Sequence, residues 1–228
     1  MSAAKKPPAQ RPAQKFSFPL FWVVVGGIVV LGLVAVVFAV TSGDDGSDSS
    51  GGGGSSGVAE YGTVTVEGTP LPTYSSSGED PAVGEQAPVV RGESFTGEPT
   101  AIVPGTPTMV VYLAHWCQHC NNEAPRLAEF LETSGVPEGT ALMIVPTGSN
   151  DTAVNWPPSQ WVKDMRLDGV ATLVDDKEGT AGAAMGLDGY PYIVLLDAQG
   201  KVISRTSGEQ ADGYFAEAFD RLKGSAAG

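Results

Sequence analysis

An α/β fold, a central sheet flanked by helices, is predicted for this chain by three observations. From residue 108 onward, apolar strand candidates alternate with helix-like segments, the order that builds a layered α/β domain. That region closes with two strand candidates, 192–197 and 201–205, joined by Ala198-Gln199-Gly200 and followed by an amphipathic helix. Between its first buried strand and first helix stands Ala114-His115-Trp116-Cys117-Gln118-His119-Cys120, which holds both cysteines and both histidines of the 228 residues. A dithiol at such a junction brings two sulphurs within bonding reach. The helix N-terminus favours a thiolate on the first of them, which suits reversible disulfide chemistry.

Ahead of that domain the chain changes character. Residues 1–15 are polar, basic and Pro-rich and read as a disordered cytoplasmic tail. Residues 16–40 are 25 consecutive uncharged positions, enough at about 1.5 Å per residue to cross a ~30 Å hydrocarbon core. Phe18, Phe21 and Trp22 suit the interface at the entry side. Bases before the span and Asp44, Asp45 and Asp48 after it place the N-terminus in the cytoplasm and the rest of the chain outside. A cleaved signal peptide is the rival reading, but the apolar core is longer than such signals use and no small-x-small site follows it. Residues 41–57 read as a flexible Gly/Ser linker. Residues 58–83 read as a loosely ordered lead-in, with an added edge hairpin around Val64-Thr65-Val66 as the alternative, and the folded domain is placed at 84–228.

Net charge is −13, and the four cations of residues 1–40 leave about −17 on the remainder. So acidic a surface excludes a nucleic-acid binder, which needs basic patches. Two cysteines are too few to staple a scaffold, which points to chemistry in place of architecture.

Within the domain, 87–90 and 101–103 are short strand candidates. The continuous apolar run 108–114 predicts a strand buried on both faces. A helix over 118–132 follows, with apolar residues at Ala124, Leu127, Phe130 and Leu131 and an expected kink at Pro125. Residues 140–145 form the next buried strand. Pro157-Pro158 opens a short helix to about 166, with Ser159 as its N-cap. Residues 170–174 are a strand, and Asp175 with Glu178 resembles a capping box for a helix to Met185. Ser207 with Gln210 is a like cap for the last helix.

Trp-Cys-x-x-Cys after a buried strand, with Gly189-Tyr190-Pro191 leading into a hairpin and final helix, resembles the thioredoxin-like fold with its central mixed sheet. Cys117-x-x-Cys120-x-x-Glu123-x-Pro125 and the earlier Gly84-x-x-Ala87-Pro88 are similar to the membrane-anchored TlpA/ResA-like thiol-disulfide oxidoreductases of bacteria. The resemblance covers roughly 84–224. It implies that Cys117 is the nucleophile, that Cys120 attacks it in turn, and that Trp116 packs beside the dithiol. It implies further that Pro191 is the family's cis-proline, holding substrate backbone, and that Glu123 handles protons; the plainer reading of Glu123 is a solvated helix residue.

Departures from the family pattern set further expectations. His119 before the second cysteine resembles oxidising members such as DsbA and protein disulfide isomerase. An imidazole there can place positive charge near the Cys117 thiolate and make the disulfide a stronger oxidant. Tyr190 and Tyr192 around Pro191 either flank a substrate groove or fill space. His115 either adds to the positive field or is a satisfied polar residue. Trp161 is expected in the core and Trp156 near a partner site.

The expected activity is exchange of the Cys117–Cys120 dithiol/disulfide with protein substrates, oxidising or reducing, recycled by a membrane redox partner. A monomer is expected, and no cofactor or metal is implied. The alternative is a copper-binding chaperone-like module of the same fold, using both cysteines and a histidine. Its spacing is one residue shorter than such modules use, and no histidine follows His119. Haem attachment fails because residue 121 is Asn.

Overall fold

The computed structural model describes residues 58–225. The basic tail, the predicted membrane anchor and the Gly/Ser linker lie outside the described residues. Among the described residues no helix is long and apolar enough to cross a membrane.

Five strands make the main sheet: β4 (Thr108–Leu113), β5 (Ala141–Pro146), β6 (Ala171–Thr172), β7 (Tyr192–Leu196) and β8 (Val202–Ser207). Their order is β6-β5-β4-β7-β8. β4 pairs parallel with β5 and β5 with β6, whereas β4–β7 and β7–β8 are antiparallel, so the sheet is mixed. Three shorter strands, β1 (Thr65–Glu67), β2 (Val89–Glu93) and β3 (Pro99–Ile102), form a separate antiparallel sheet in the order β1-β2-β3. The helices are α1 (Gln118–Ser134), α2 (Pro158–Asp164), α3 (Thr180–Ala184) and α4 (Tyr214–Ser225).

Alternation along each central strand explains the unbroken apolar runs. Met109, Val111 and Leu113 of β4 join Ile144, Ile193 and Leu195 in one core, packed with Leu127 of α1, Trp161 of α2 and Phe219 of α4. Val110 and Tyr112 face the other way, into a second core with Val145, Val194, Val90 of the small sheet and Ala181 of α3. A strand covered on both faces has no position to spend on polar residues. Each large apolar side chain so buried contributes about 1.5–3 kcal/mol. Helix α1 runs unbroken through Pro125 and stops at Gly135, whose N–H still bonds the Leu131 carbonyl while its positive φ of 68° turns the chain out of the helix.

The lead-in is not loose. It begins the folded unit, so a start at residue 84 is too late. Val66 pairs with Val90 across β1 and β2. Backbone bonds run from Ala59 N–H to the Phe95 carbonyl, from Gly62 to Asp175, from Leu71 to Ala184 and from Tyr74 to Gly186. Gly62 passes so close to the Val174 carbonyl that a Cβ there would collide with it. The Asp80 carboxylate receives the guanidinium of Arg205, a residue buried on β8. Pro and Ser residues that break the strand pattern here leave an extended strap whose partners are distant in sequence.

The expected caps also need correction. Ser159 lies inside α2, after an N-cap at Pro157, and its N–H and hydroxyl both donate to the Glu60 carboxylate of the strap. Helix α3 starts only at Thr180, after Gly179. Asp175 still serves its first turn, accepting from the N–H groups of Ala181 and Gly182, but Glu178 plays no reciprocal part in a capping box. Ser207 ends β8 and caps nothing, while Gln210 N–H donates to Glu123. The predicted strand 170–174 shortens to the two residues of β6.

Candidate active site

Strand β4 delivers the chain to one end of the sheet, and α1 starts five residues later, at Gln118, with Cys117 as its N-cap in extended conformation at φ −75° and ψ 124°. Both cysteines are free thiols. They are not equivalent. Cys117 keeps 9% of its surface accessible and its Sγ lies 3.7 Å from the Tyr190 carbonyl oxygen. Cys120, one helical turn on, is fully buried, and its Sγ accepts the Ala114 N–H at 3.4 Å. Burial pushes the Cys120 thiol far above the usual thiol range, reinforced by the neighbouring Cys117 and Glu123. A cysteine that keeps some surface at a helix N-terminus, beside one that keeps none, is the asymmetry that lets one attack outward and the other only inward.

Glu123 is wholly buried, so the reading of it as a solvated helix residue is overturned. Its Oε2 accepts the Gln210 N–H at 3.0 Å and lies 3.5 Å from Arg126 Nη1, while Oε1 is buried without a hydrogen-bond partner. Burial raises its carboxyl pKa, opposed by the Gln210 N–H and Arg126 and aided by Glu209. A carboxyl held toward its neutral form next to a buried thiol is fit to give and take a proton there.

His119 is engaged by a carboxylate and not by a sulphur. Its ring is largely exposed and Nδ1–H donates to Glu209 Oε2 at 3.0 Å; among the described residues no hydrogen bond joins the ring to either cysteine. His115 is buried and spoken for on both sides: Nδ1–H donates to the Val154 carbonyl at 2.8 Å and Nε2 accepts the Asn150 N–H at 3.1 Å. Desolvation lowers its pKa, which fits this neutral tautomer. It is the satisfied polar residue, and it fixes the 150–154 loop beside the site.

Trp116 stays 39% exposed, donating through Nε1 to the Gly148 carbonyl at 2.7 Å and meeting the Tyr190 ring edge-on at 5.7 Å. Gly148 has φ of 58°, and a Cβ on it would strike the Tyr190 hydroxyl. The Tyr190–Pro191 peptide bond is cis. Trp116, Tyr190 and Pro191 therefore stand together beside Cys117. Tyr192 does not join them: it is fully buried, its hydroxyl donating to the Met185 carbonyl, so it fills space. Trp161 is in the core as expected; Trp156 is half-buried between His115 and Tyr61 of the strap.

Three contributors have no signature in the sequence. Asn121 donates to the carbonyls of His115 and Cys117 and accepts from Trp161 Nε1 and Asn155 Nδ2, tying the turn before α1 to α2. Arg126 reaches Glu123, Glu209, Asp212 and the Gln210 carbonyl. Glu209 accepts from both His119 and Asn122, and these donors hold its carboxyl below the usual range. Among the described residues no three His, Cys, Asp or Glu side chains converge to hold a metal.

Known proteins give the same picture at fold level. No family model matches the chain. It is 27% identical over 129 residues to the methylamine utilization protein MauD of Methylophilus methylotrophus, a match that covers 55% of this chain and only 56% of that protein. A DsbF homologue from Corynebacterium diphtheriae superposes with a TM-score of 0.53 at 20% identity, covering 68% of this chain and all of the other. A thiol:disulfide interchange protein from Bacteroides sp. gives 0.50 at 18%, covering 64% and 93%. The fold is thioredoxin-like. Its dithiol stands at the N-terminus of α1, after the central strand of that fold.

Proposed function

We propose that this protein exchanges thiols and disulfides with protein substrates through Cys117, in the reducing direction, as a membrane-tethered extracytoplasmic enzyme. The observation that carries the exchange reading is the asymmetry of the cysteines, Cys117 keeping some surface at the start of α1 and Cys120 none, beside Glu123. The Cys117 thiolate attacks a substrate disulfide, forming a mixed disulfide and releasing one substrate thiolate. Glu123 then accepts the Cys120 proton, and the Cys120 thiolate attacks Cys117 Sγ. The second substrate thiolate leaves. The substrate has gained two electrons and the enzyme holds a Cys117–Cys120 disulfide, which a membrane redox partner of the dithiol type must reduce. Trp116, Tyr190 and Pro191 form the wall against which the substrate backbone lies.

The reducing direction is favoured by the placement of His119, whose hydrogen bond goes to Glu209 and not to Cys117. Without that cation on the thiolate the dithiol gains little stability over the disulfide. Tethering and orientation rest on the uncharged span 16–40 and the charges either side of it. Against the copper-chaperone alternative stand His115, hydrogen-bonded through both ring nitrogens, and His119, held to Glu209 through Nδ1. Equilibration of the full chain with glutathione buffers tests the direction. A reduction potential near the ~−270 mV of thioredoxin supports it; one near the ~−120 mV of DsbA would overturn it.

A further inference from the structure

The segment between β8 and α4 carries two carboxylates that contact the dithiol helix, Asp212 and Glu209, and of these Glu209 takes the histidine. Glu209 Oε2 accepts His119 Nδ1–H at 3.0 Å and Asn122 Nδ2–H at 3.1 Å, and Glu209 Oε1 lies 3.6 Å from Arg126 Nη1. His119 stands inside the Cys117-x-x-Cys120 loop, on the first turn of α1. An imidazole at that position has two anions to serve: this carboxylate, and the thiolate that Cys117 presents when reduced. It serves the carboxylate. Arg126 closes the arrangement by bonding the Gln210 carbonyl at 2.7 Å and Asp212 at 3.1 Å, so the segment bearing Glu209 is fastened to α1 independently of His119.

We propose that Glu209 is a positioning residue of the redox pair, holding the His119 ring in a hydrogen bond of its own and so keeping it from the Cys117 thiolate. The inference rests on the exchange reading above and adds what sets the potential of that site. A cation brought to the thiolate stabilises the reduced form and makes the disulfide more oxidising. Glu209 withholds that cation. The chain carries a histidine where oxidising relatives place one, and the Glu209 carboxylate cancels its effect. Asn122 alone cannot replace this hold, because it offers a donor to Glu209 and nothing to the ring.

The test is the glutathione equilibrium of the full chain kept in detergent, for the wild type, Glu209→Gln, His119→Ala and the double variant. Gln keeps the shape of the side chain and removes its charge, at a partly exposed position where folding is not at stake. Glu209→Gln is expected to shift the equilibrium constant at least threefold, and up to about tenfold, toward the dithiol, about 14 to 30 mV upward for a two-electron couple. The double variant is expected within twofold of the wild type, as is His119→Ala alone. A shift under twofold in Glu209→Gln overturns the proposal. So does a shift that persists undiminished in the double variant, since Glu209 would then act on the sulphurs directly. If none of the four proteins equilibrates with glutathione, the exchange reading itself fails, and this inference with it.

Discussion

Asn121 is where one substitution should loosen the site without touching a sulphur. Its Nδ2 donates to the Cys117 carbonyl at 2.8 Å and the His115 carbonyl at 3.1 Å, and its Oδ1 accepts Trp161 Nε1 at 2.9 Å and Asn155 Nδ2 at 3.2 Å. In Asn121→Ala the losses are unequal. The Cys117 carbonyl still receives the backbone N–H of residue 121, and the His115 carbonyl still receives Asn155. Trp161 Nε1, on a residue 2% exposed, is left with no acceptor. An orphaned buried donor costs about 1–3 kcal/mol, and the other lost bonds add about 1 kcal/mol net. The sum is about 2–4 kcal/mol. With an m-value of about 2 kcal/mol per molar urea, the unfolding midpoint of the reduced protein should fall by ~1–2 M with the slope unchanged. Exchange with a peptide disulfide should also slow, because the turn that presents Cys117 is freed. A midpoint within ~0.25 M of wild type would refute the reasoning, since that is the scatter of ordinary surface substitutions.

Two further outcomes follow from buried charge. Asp80→Ala leaves the Arg205 guanidinium, whose side chain is fully buried, without its carboxylate, and should cost about 3–5 kcal/mol in urea unfolding at neutral pH. The Asp80 carboxyl is held below its usual 3.8, chiefly by Arg205, so this contribution is present above pH ~4 and lost as pH falls through the lowered folded value; the difference between variant and wild type should shrink there. Glu123→Gln has the opposite sign. Burial raises the Glu123 carboxyl above its usual 4.5, so the wild type loses stability as pH rises through that folded value, and the variant should be the more stable above it and no better in acid. The same variant should slow attack of Cys120 on a mixed disulfide, read by quenched-flow trapping.

The sheet was legible because β4, β5 and β7 are apolar on both faces, a pattern that needs no knowledge of partners. The dithiol was legible because Trp116, Cys117 and Cys120 lie within five residues and Tyr190-Pro191 comes directly before β7. What stayed hidden depends on long-range pairing. Glu60 reaches Ser159 across 99 residues, so α2 borrows a cap that no local motif announces. Outside β1 the strap 58–83 looks irregular because its long-range backbone bonds run singly to distant segments instead of along a ladder. Glu209 meets His119 across 90 residues, and as an acid in a polar segment it looks like any other. Tyr192 shows the limit of analogy beside Pro191: strand alternation sends it into the second core, while Tyr190, two positions earlier, stands by Trp116.

The central claim is that Cys117 alone forms the bond to substrate, and trapping that bond tests it most directly. The full chain with Cys120→Ser, reduced and mixed with a polypeptide carrying a disulfide, should accumulate a mixed disulfide that peptide mass spectrometry places at Cys117. The matching Cys117→Ser variant should accumulate none, its remaining sulphur being fully buried. A bond found at Cys120 in Cys117→Ser, or no bond in either variant, would contradict the account.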